Sequence, residues 1–212
     1  RYGEGTDQLM VCLVLNGTHL PDARPFIDAL TAAFPQTVSL MLNFNTKNTN
    51  VVLGEEYRTL FGTPYIEDVL CGKTFRISPQ AFYQVNHDGA ELLYGIAASK
   101  AELTEEDALL DLYCGIGTIG LSLAGGKTKV VGVEIVEDAV KCAEQNARDN
   151  GMVNTHFFCG DAGKAAEEIA AHNAAQYNGV WESIETNGAT ILLSDNNGHA
   201  RILVYYLKGE TL

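Results

Sequence analysis

Residues Asp111-Leu112-Tyr113-Cys114-Gly115-Ile116-Gly117-Thr118-Ile119-Gly120 set three glycines at GxGxxG spacing, behind an apolar run and ahead of a helical one. Glycine lets a backbone turn sharply and approach a ligand with no Cβ in the way. A helix opening there offers free N–H groups and a partial positive charge. Glu134 ends the next apolar run, Lys129–Glu134. A carboxylate at that strand end can accept from both hydroxyls of a ribose. Gly160-Asp161 ends a third run, where the carboxylate or its neighbouring amides can meet an adenine edge. Three such ends converge on one nucleoside, the place where open α/β sheets bind ligands.

The spacing by itself fits a dinucleotide as formally as it fits S-adenosylmethionine (SAM). Dinucleotide enzymes set the helix N-terminus against a pyrophosphate. SAM carries no phosphate, and its ammonium group wants carboxylate or carbonyl partners. Asp111, just inside the first strand, can serve that ammonium through a backbone turn or a water, and it would repel a pyrophosphate. The acid favours SAM; a NAD-dependent oxidoreductase remains the alternative.

The elements that must position these groups alternate. Ala108–Tyr113 reads as a buried strand, Ile119–Ala124 as a helix, Lys129–Glu134 as a strand and Val136–Asn150 as a helix. On that last helix Ala139, Val140, Ala143 and Ala147 share a face, and Asn150-Gly151 stops it. His156–Cys159 reads as a third strand and Ala162–Ala171 as a helix. This alternation predicts a parallel, doubly wound sheet. Ahead of it stands a small α/β unit. Leu9–Asn16 reads as a strand, and Asp22 is expected to cap a helix over Ala23–Phe34 that Pro35 stops. Val38–Phe44, Asn50–Leu53, Glu56–Leu60 and Thr74–Ile77 read as strands, and Gly89–Ser99 as a helix. Beyond about Asn173 the pattern changes to close-set strands at Val180–Glu185, Thr190–Ser194 and Ala200–Leu207. Asp195-Asn196-Asn197-Gly198 predicts that the last two pair antiparallel as a hairpin. Trp181 and Ile184 would then cover apolar surface beside an incomplete sheet, and a sheet edge left open invites self-association.

Composition narrows the function classes. With 46% hydrophobic and 19% charged residues, the chain reads as an ordinary globular protein. No apolar run approaches the roughly 20 residues of a membrane span. The scattered cysteines Cys12, Cys71, Cys114, Cys142 and Cys159 form no CxxC pair, which predicts reduced thiols, a cytoplasmic setting and no metal centre. His19, His87, His156, His172 and His199 show neither metal nor triad spacing. A formal net charge of −13 is a poor footprint for nucleic-acid binding and leaves any basic surface to another domain.

Five stretches together carry a specific resemblance: FRISPQAFYQVN (Phe75–Asn86), LDLYCGIGTIGL (Leu110–Leu121), GVEIVEDAV (Gly132–Val140), QNARDNG (Gln145–Gly151) and GDA (Gly160–Ala162). They resemble the RNA uracil-5-methyltransferase family, and LNFNTKNTNVVLGEEYRTLFG resembles that family's central domain. The resemblance covers roughly residues 1–171. It implies a Rossmann-like, SAM-dependent methyltransferase sheet preceded by a small α/β domain. The strand-rich tail is expected to be antiparallel. It implies SAM as cofactor, a uridine-containing rRNA or tRNA as partner, and methyl transfer to C5. By position it implies that Gln84, Tyr113, Thr118, Glu134 and Asp161 contact the cofactor, with Gly115 and Gly117 shaping the loop. In the family a cysteine adds to C6 of uracil, C5 takes the methyl group, and a base removes the C5 proton.

The resemblance stops short of that nucleophile. The family's late SCNP-like segment and the preceding DPP are absent, and no cysteine follows Cys159. Cys114 sits near a helix N-terminus, which would lower its pKa, but it lies where the cofactor packs and is expected to be structural. The expected division is a central domain at 1–74, a partial SAM-binding domain at 75–172, and a tail of unknown origin at 173–212. Arg1 in place of Met and the unfamiliar tail suggest a piece of something longer, or a frameshifted or chimaeric product. A non-catalytic SAM-binding fragment or scaffold is therefore an alternative to a working enzyme.

Overall fold

The computed structural model describes residues 1–48, 50–105, 107–126 and 128–164, and the backbone of 180–186, 189–195 and 200–202. The chain divides into two compact units. The first takes Arg1–Val69 and Phe75–Phe82, and the second takes Leu70–Thr74 and the chain from Tyr83 onward.

The first unit is a four-stranded sheet in the order β1-β2-β3-β4, from β1 (Tyr2–Gly3), β2 (Gln8–Leu15), β3 (Thr37–Phe44) and β4 (Glu56–Gly62). β2 and β3 run parallel, so α1 (Arg24–Ala33) is their crossover, while β1 and β4 join antiparallel. Met10, Leu40 and Leu42 are buried in this sheet. Two expectations fail here. Asp22 does not cap α1: its φ of 35° is left-handed, whereas a capping residue needs extended backbone, and Ala23 occupies the N-cap without a side-chain bond. Asn50–Leu53 is not a strand. The Asn45 carboxamide donates to the carbonyls of Val51 (2.7 Å) and Val52 (3.0 Å), so a side chain replaces the ladder. A strand not anticipated, β5 (Ile66–Leu70), pairs with β6 (Lys73–Ile77). Its Glu67-Asp68 pair hides it from a hydrophobicity pattern, yet Asp68 is buried and accepts from the amides of Gly5 (2.7 Å) and Val69 (2.9 Å).

The second unit begins its regular structure with α2 (His87–Ala101), capped by Asn86, whose side chain accepts from Gly89 N–H. The sheet order is β12-β7-β8-β9, all parallel. Its strands are β7 (Ala108–Asp111), β8 (Lys129–Glu134), β9 (Thr155–Cys159) and β12 (Ala200–Ile202). α3 (Thr118–Leu123) and α4 (Glu137–Asp149) are the crossovers between β7, β8 and β9. Leu109, Val130, Val133, Leu121 and Ala143 are almost wholly buried, and this apolar layer holds the strands in register. Register brings Asp111 beside Gly132 and Glu134 beside Cys159, so the strand ends line up along one rim. Of the helix expected over Ala162–Ala171, Ala162–Lys164 is helical and the rest lies outside the described residues.

The tail overturns the predicted hairpin. Ala189–Asp195 (β11) pairs antiparallel not with Ala200–Ile202 but with β10 (Val180–Thr186), Thr186 facing Ala189. Asn187-Gly188 separates these two strands, and Asn-Gly is a stronger tight-turn signal than Asn-Asn-Gly. Ala200–Ile202 instead runs parallel to β7, where it satisfies ladder groups on that strand's edge. The side chains of Trp181 and Ile184, and the end of the strand expected over Ala200–Leu207, lie outside the described residues.

Candidate functional site

The site grows from the end of β7. Asp111 is buried, and its Oδ2 accepts from Gly120 N–H at 3.2 Å. Burial pushes its pKa up to about 6, while backbone N–H groups of Gly120 and Tyr113 pull it down and the nearby Glu134 carboxylate raises it. Asp111 thus ties the strand end to the start of α3 across the intervening loop. That loop turns through left-handed glycines, Gly115 at φ 53° and Gly117 at φ 84°. Gly117 N–H donates to Cys114 O at 2.7 Å, and Cys114 N–H to Val133 O at 3.1 Å, which stitches the loop to β8. α3 spans six residues, and Asp111 already accepts from one of its first amides. The anion-attracting helix end expected from the sequence is therefore short and partly satisfied from within, which suits a pyrophosphate poorly.

Glu134 closes the loop from the neighbouring strand. Its Oε2 accepts from Gly115 N–H at 3.1 Å and its Oε1 from Val136 N–H at 3.0 Å. A carboxylate has about four acceptor positions, so Glu134 keeps capacity for further donors while remaining half-buried. Gly160 N–H donates to Glu134 O at 2.9 Å, which fastens the end of β9 to the end of β8. Asp161 follows at once, exposed, its Oδ1 accepting from Lys164 N–H at 2.9 Å. In front of the loop there is room: a Cβ built on Gly115 or on Gly160 would meet no atom within 4 Å. A glycine-lined opening beside a carboxylate with spare acceptor capacity fits the uncharged ribose and adenosine of SAM.

The structure therefore brings Gly115, Gly117, Glu134 and Asp161 to one rim. Tyr113, half-exposed, leads into the loop, and Thr118 is the first residue of α3. Gln84 lies elsewhere in the same unit, in the irregular segment ahead of α2, and the described contacts do not join it to the loop. Phe82 is 76% exposed, which rules out core packing for its ring. Cys114 corrects another expectation. Its thiol is buried and faces the charges of Asp111 and Glu134, which together push its pKa far up; the helix end does not lower it.

Sequence reasoning passed over three residues. Ile135, 68% exposed directly after Glu134, leaves an apolar side chain on the rim. Gly132 is packed from both sides: a Cβ there would press on the Phe157 ring and come within 2.8 Å of Cys114 Sγ. Asn146 is wholly buried and donates to Ile116 O at 2.9 Å. Its signal was a polar residue beside Ala143 and Ala147 on the apolar face of α4.

A family profile for a methyltransferase domain matches residues 103–182. The chain is 46% identical over 165 residues to an uncharacterized RNA methyltransferase of Streptococcus agalactiae, covering 78% of this chain and 37% of that protein. It is 43% identical over 176 residues to one from Staphylococcus aureus, covering 83% and 38%. Its fold is similar to the tRNA (uracil-54, C5)-methyltransferase of Pyrococcus abyssi, solved in complex with S-adenosyl-L-homocysteine, with a TM-score of 0.61 and 27% identity. That match covers 76% of this chain and 38% of the archaeal one. The chain carries a methyltransferase domain and is related over about four fifths of its length to bacterial RNA methyltransferases. Its unit from Tyr83 onward carries a Rossmann-like parallel sheet. The chain spans less than two fifths of the relatives it matches. No helix among the described residues is long and apolar enough to cross a membrane.

Proposed function

We propose that this chain holds SAM on the rim of β7, β8 and β9 as part of an RNA uracil-C5 methyltransferase. The carrying observation is the Gly115–Glu134 bond beside an open, glycine-lined space. In this reading Glu134, already fixed by two amides, accepts from the ribose hydroxyls. Ile135 supplies apolar cover for the adenine ring, and the Asp161 side chain or the neighbouring amides meet the adenine edge. Gly115 and Gly117 let the backbone approach, Tyr113 and Thr118 line the methionine side, and Gln84 reaches the cofactor from the segment ahead of α2. SAM when bound supplies a methyl group on a positively charged sulfur. The substrate is a uridine in rRNA or tRNA, supported by the names of the bacterial relatives and by the archaeal tRNA enzyme.

The chain's own cysteines do not fit the nucleophile's task. A thiolate must form and reach C6 of uracil. Cys114 is buried with its thiol held protonated, and Cys12 lies in β2 of the first unit. Cys71 is in a turn and Cys142 is on α4. Cys159 ends β9 with its thiol on the carbonyl of Ile135 at 3.5 Å. We therefore propose that this chain binds SAM without completing transfer to uridine by itself. Transfer of label from methyl-tritiated SAM to a uridine-containing RNA tests this. The expected result is no incorporation above background; robust incorporation would show that another group replaces the cysteine, and Cys159→Ser and Cys114→Ser would then locate it.

A further inference from the structure

We infer that Asn146 and Asn150, one turn apart at the end of α4, are positioning residues for the SAM loop. The Asn146 side chain is fully buried, and its Nδ2 donates to Ile116 O at 2.9 Å, between the two left-handed glycines. Asn146 O in turn accepts from Asn150 N–H at 3.1 Å and from Asn150 Nδ2 at 2.8 Å. Asn150 is itself clamped in both senses: its Oδ1 accepts from Thr74 N–H at 2.9 Å, and its Nδ2 donates to Thr74 O at 2.7 Å. The path from strand β6 to the cofactor loop is therefore continuous: Thr74, Asn150, Asn146, Ile116. Each link is a side-chain amide standing in for a backbone partner.

The chemistry explains the residue type. Ile116 O points into the protein and needs a donor, because an unpaired buried carbonyl is costly. Helical spacing sets residues 143, 146, 147 and 150 along one face, so α4 can offer an amide there without a change of course. Asp in place of Asn146 would keep the shape and present only acceptors to Ile116 O. Glu134 holds Gly115 N–H and Cys114 O holds Gly117 N–H, and the brace fixes the intervening Ile116 carbonyl from the α4 side, which completes the setting of the loop's open face. The inference rests on the reading of that loop as part of the SAM pocket.

The test is calorimetric titration of the whole chain with S-adenosyl-L-homocysteine, paired with thermal unfolding. Asn146→Asp is expected to weaken binding about tenfold or more, the effect of losing one buried hydrogen bond. Asn150→Ala is expected to weaken it about threefold. Val140→Ala, a cavity variant on the same helix, is expected to lower the unfolding temperature while keeping affinity within about twofold. A folded Asn146→Asp chain with wild-type affinity, or a Val140→Ala chain that loses as much affinity as Asn146→Asp, overturns the brace. If Asn146→Asp does not fold, wild-type affinity in Asn150→Ala overturns it. A wild-type chain that does not bind overturns the pocket reading and the brace together, whereas unaltered variants of a binding wild type overturn the brace alone.

Discussion

Glu134 and Asp111 are carboxylates at the ends of neighbouring strands with opposite surroundings, and residue chemistry separates their tasks. Glu134 stays half-buried with two amides on it and acceptor capacity to spare. Glu134→Ala should weaken S-adenosyl-L-homocysteine binding by about 1–3 kcal/mol, the cost of unpaired donors, and unchanged affinity by calorimetry would remove it from the site. Asp111 is buried with its pKa pushed up to about 6 from 3.8. Its folded pKa lies above the unfolded one, so its ionisation opposes folding. Its contribution is most favourable below the unfolded value and is lost as pH rises through about 6. Wild-type stability relative to Asp111→Asn should therefore rise by about 1 kcal/mol between about pH 7.5 and about pH 5. Urea unfolding at both pH values checks this, and parallel behaviour of the two chains would contradict it. Asp111 was legible in the sequence as an acid at a strand end. Its inward direction was not, because only the packed loop shows that Gly120 N–H is its partner.

At the scale of elements, β8 is where sequence and structure coincide residue for residue, Lys129–Glu134. Its β-branched run follows the Gly125-Gly126 pair, and nothing local competes with the strand. Within that strand Gly132 leaves the space that Cys114 and Phe157 fill. Gly132→Ala should cost about 1–3 kcal/mol through overpacking. Adding Phe157→Leu should return part of it, read as a positive coupling in a double-mutant cycle; strictly additive losses would show that the ring is not the obstacle. Where the sequence misled, side chains had taken over backbone partners. Asn45 displaced the strand expected at Asn50–Leu53, and Asn146 sat unnoticed on an apolar helix face. Three-dimensional partners of Asn carry no local periodicity, so pattern reading passes them by. The misplaced hairpin has a different cause: the sequence offers two turn signals, and Asn-Gly at 187–188 is the stronger of the two.

At the scale of the whole molecule, the order β12-β7-β8-β9 places the proposed cofactor rim at the carboxyl ends of parallel strands, where the sequence placed it. The formal net charge of −13 predicts that this chain alone holds RNA weakly. The identity of the bound small molecule separates the SAM reading from the dinucleotide one. Calorimetric titration of the chain with S-adenosyl-L-homocysteine and, separately, with NAD tests it most directly. Saturable binding of the first and none of the second is expected; binding of NAD with no signal from S-adenosyl-L-homocysteine would contradict the SAM reading.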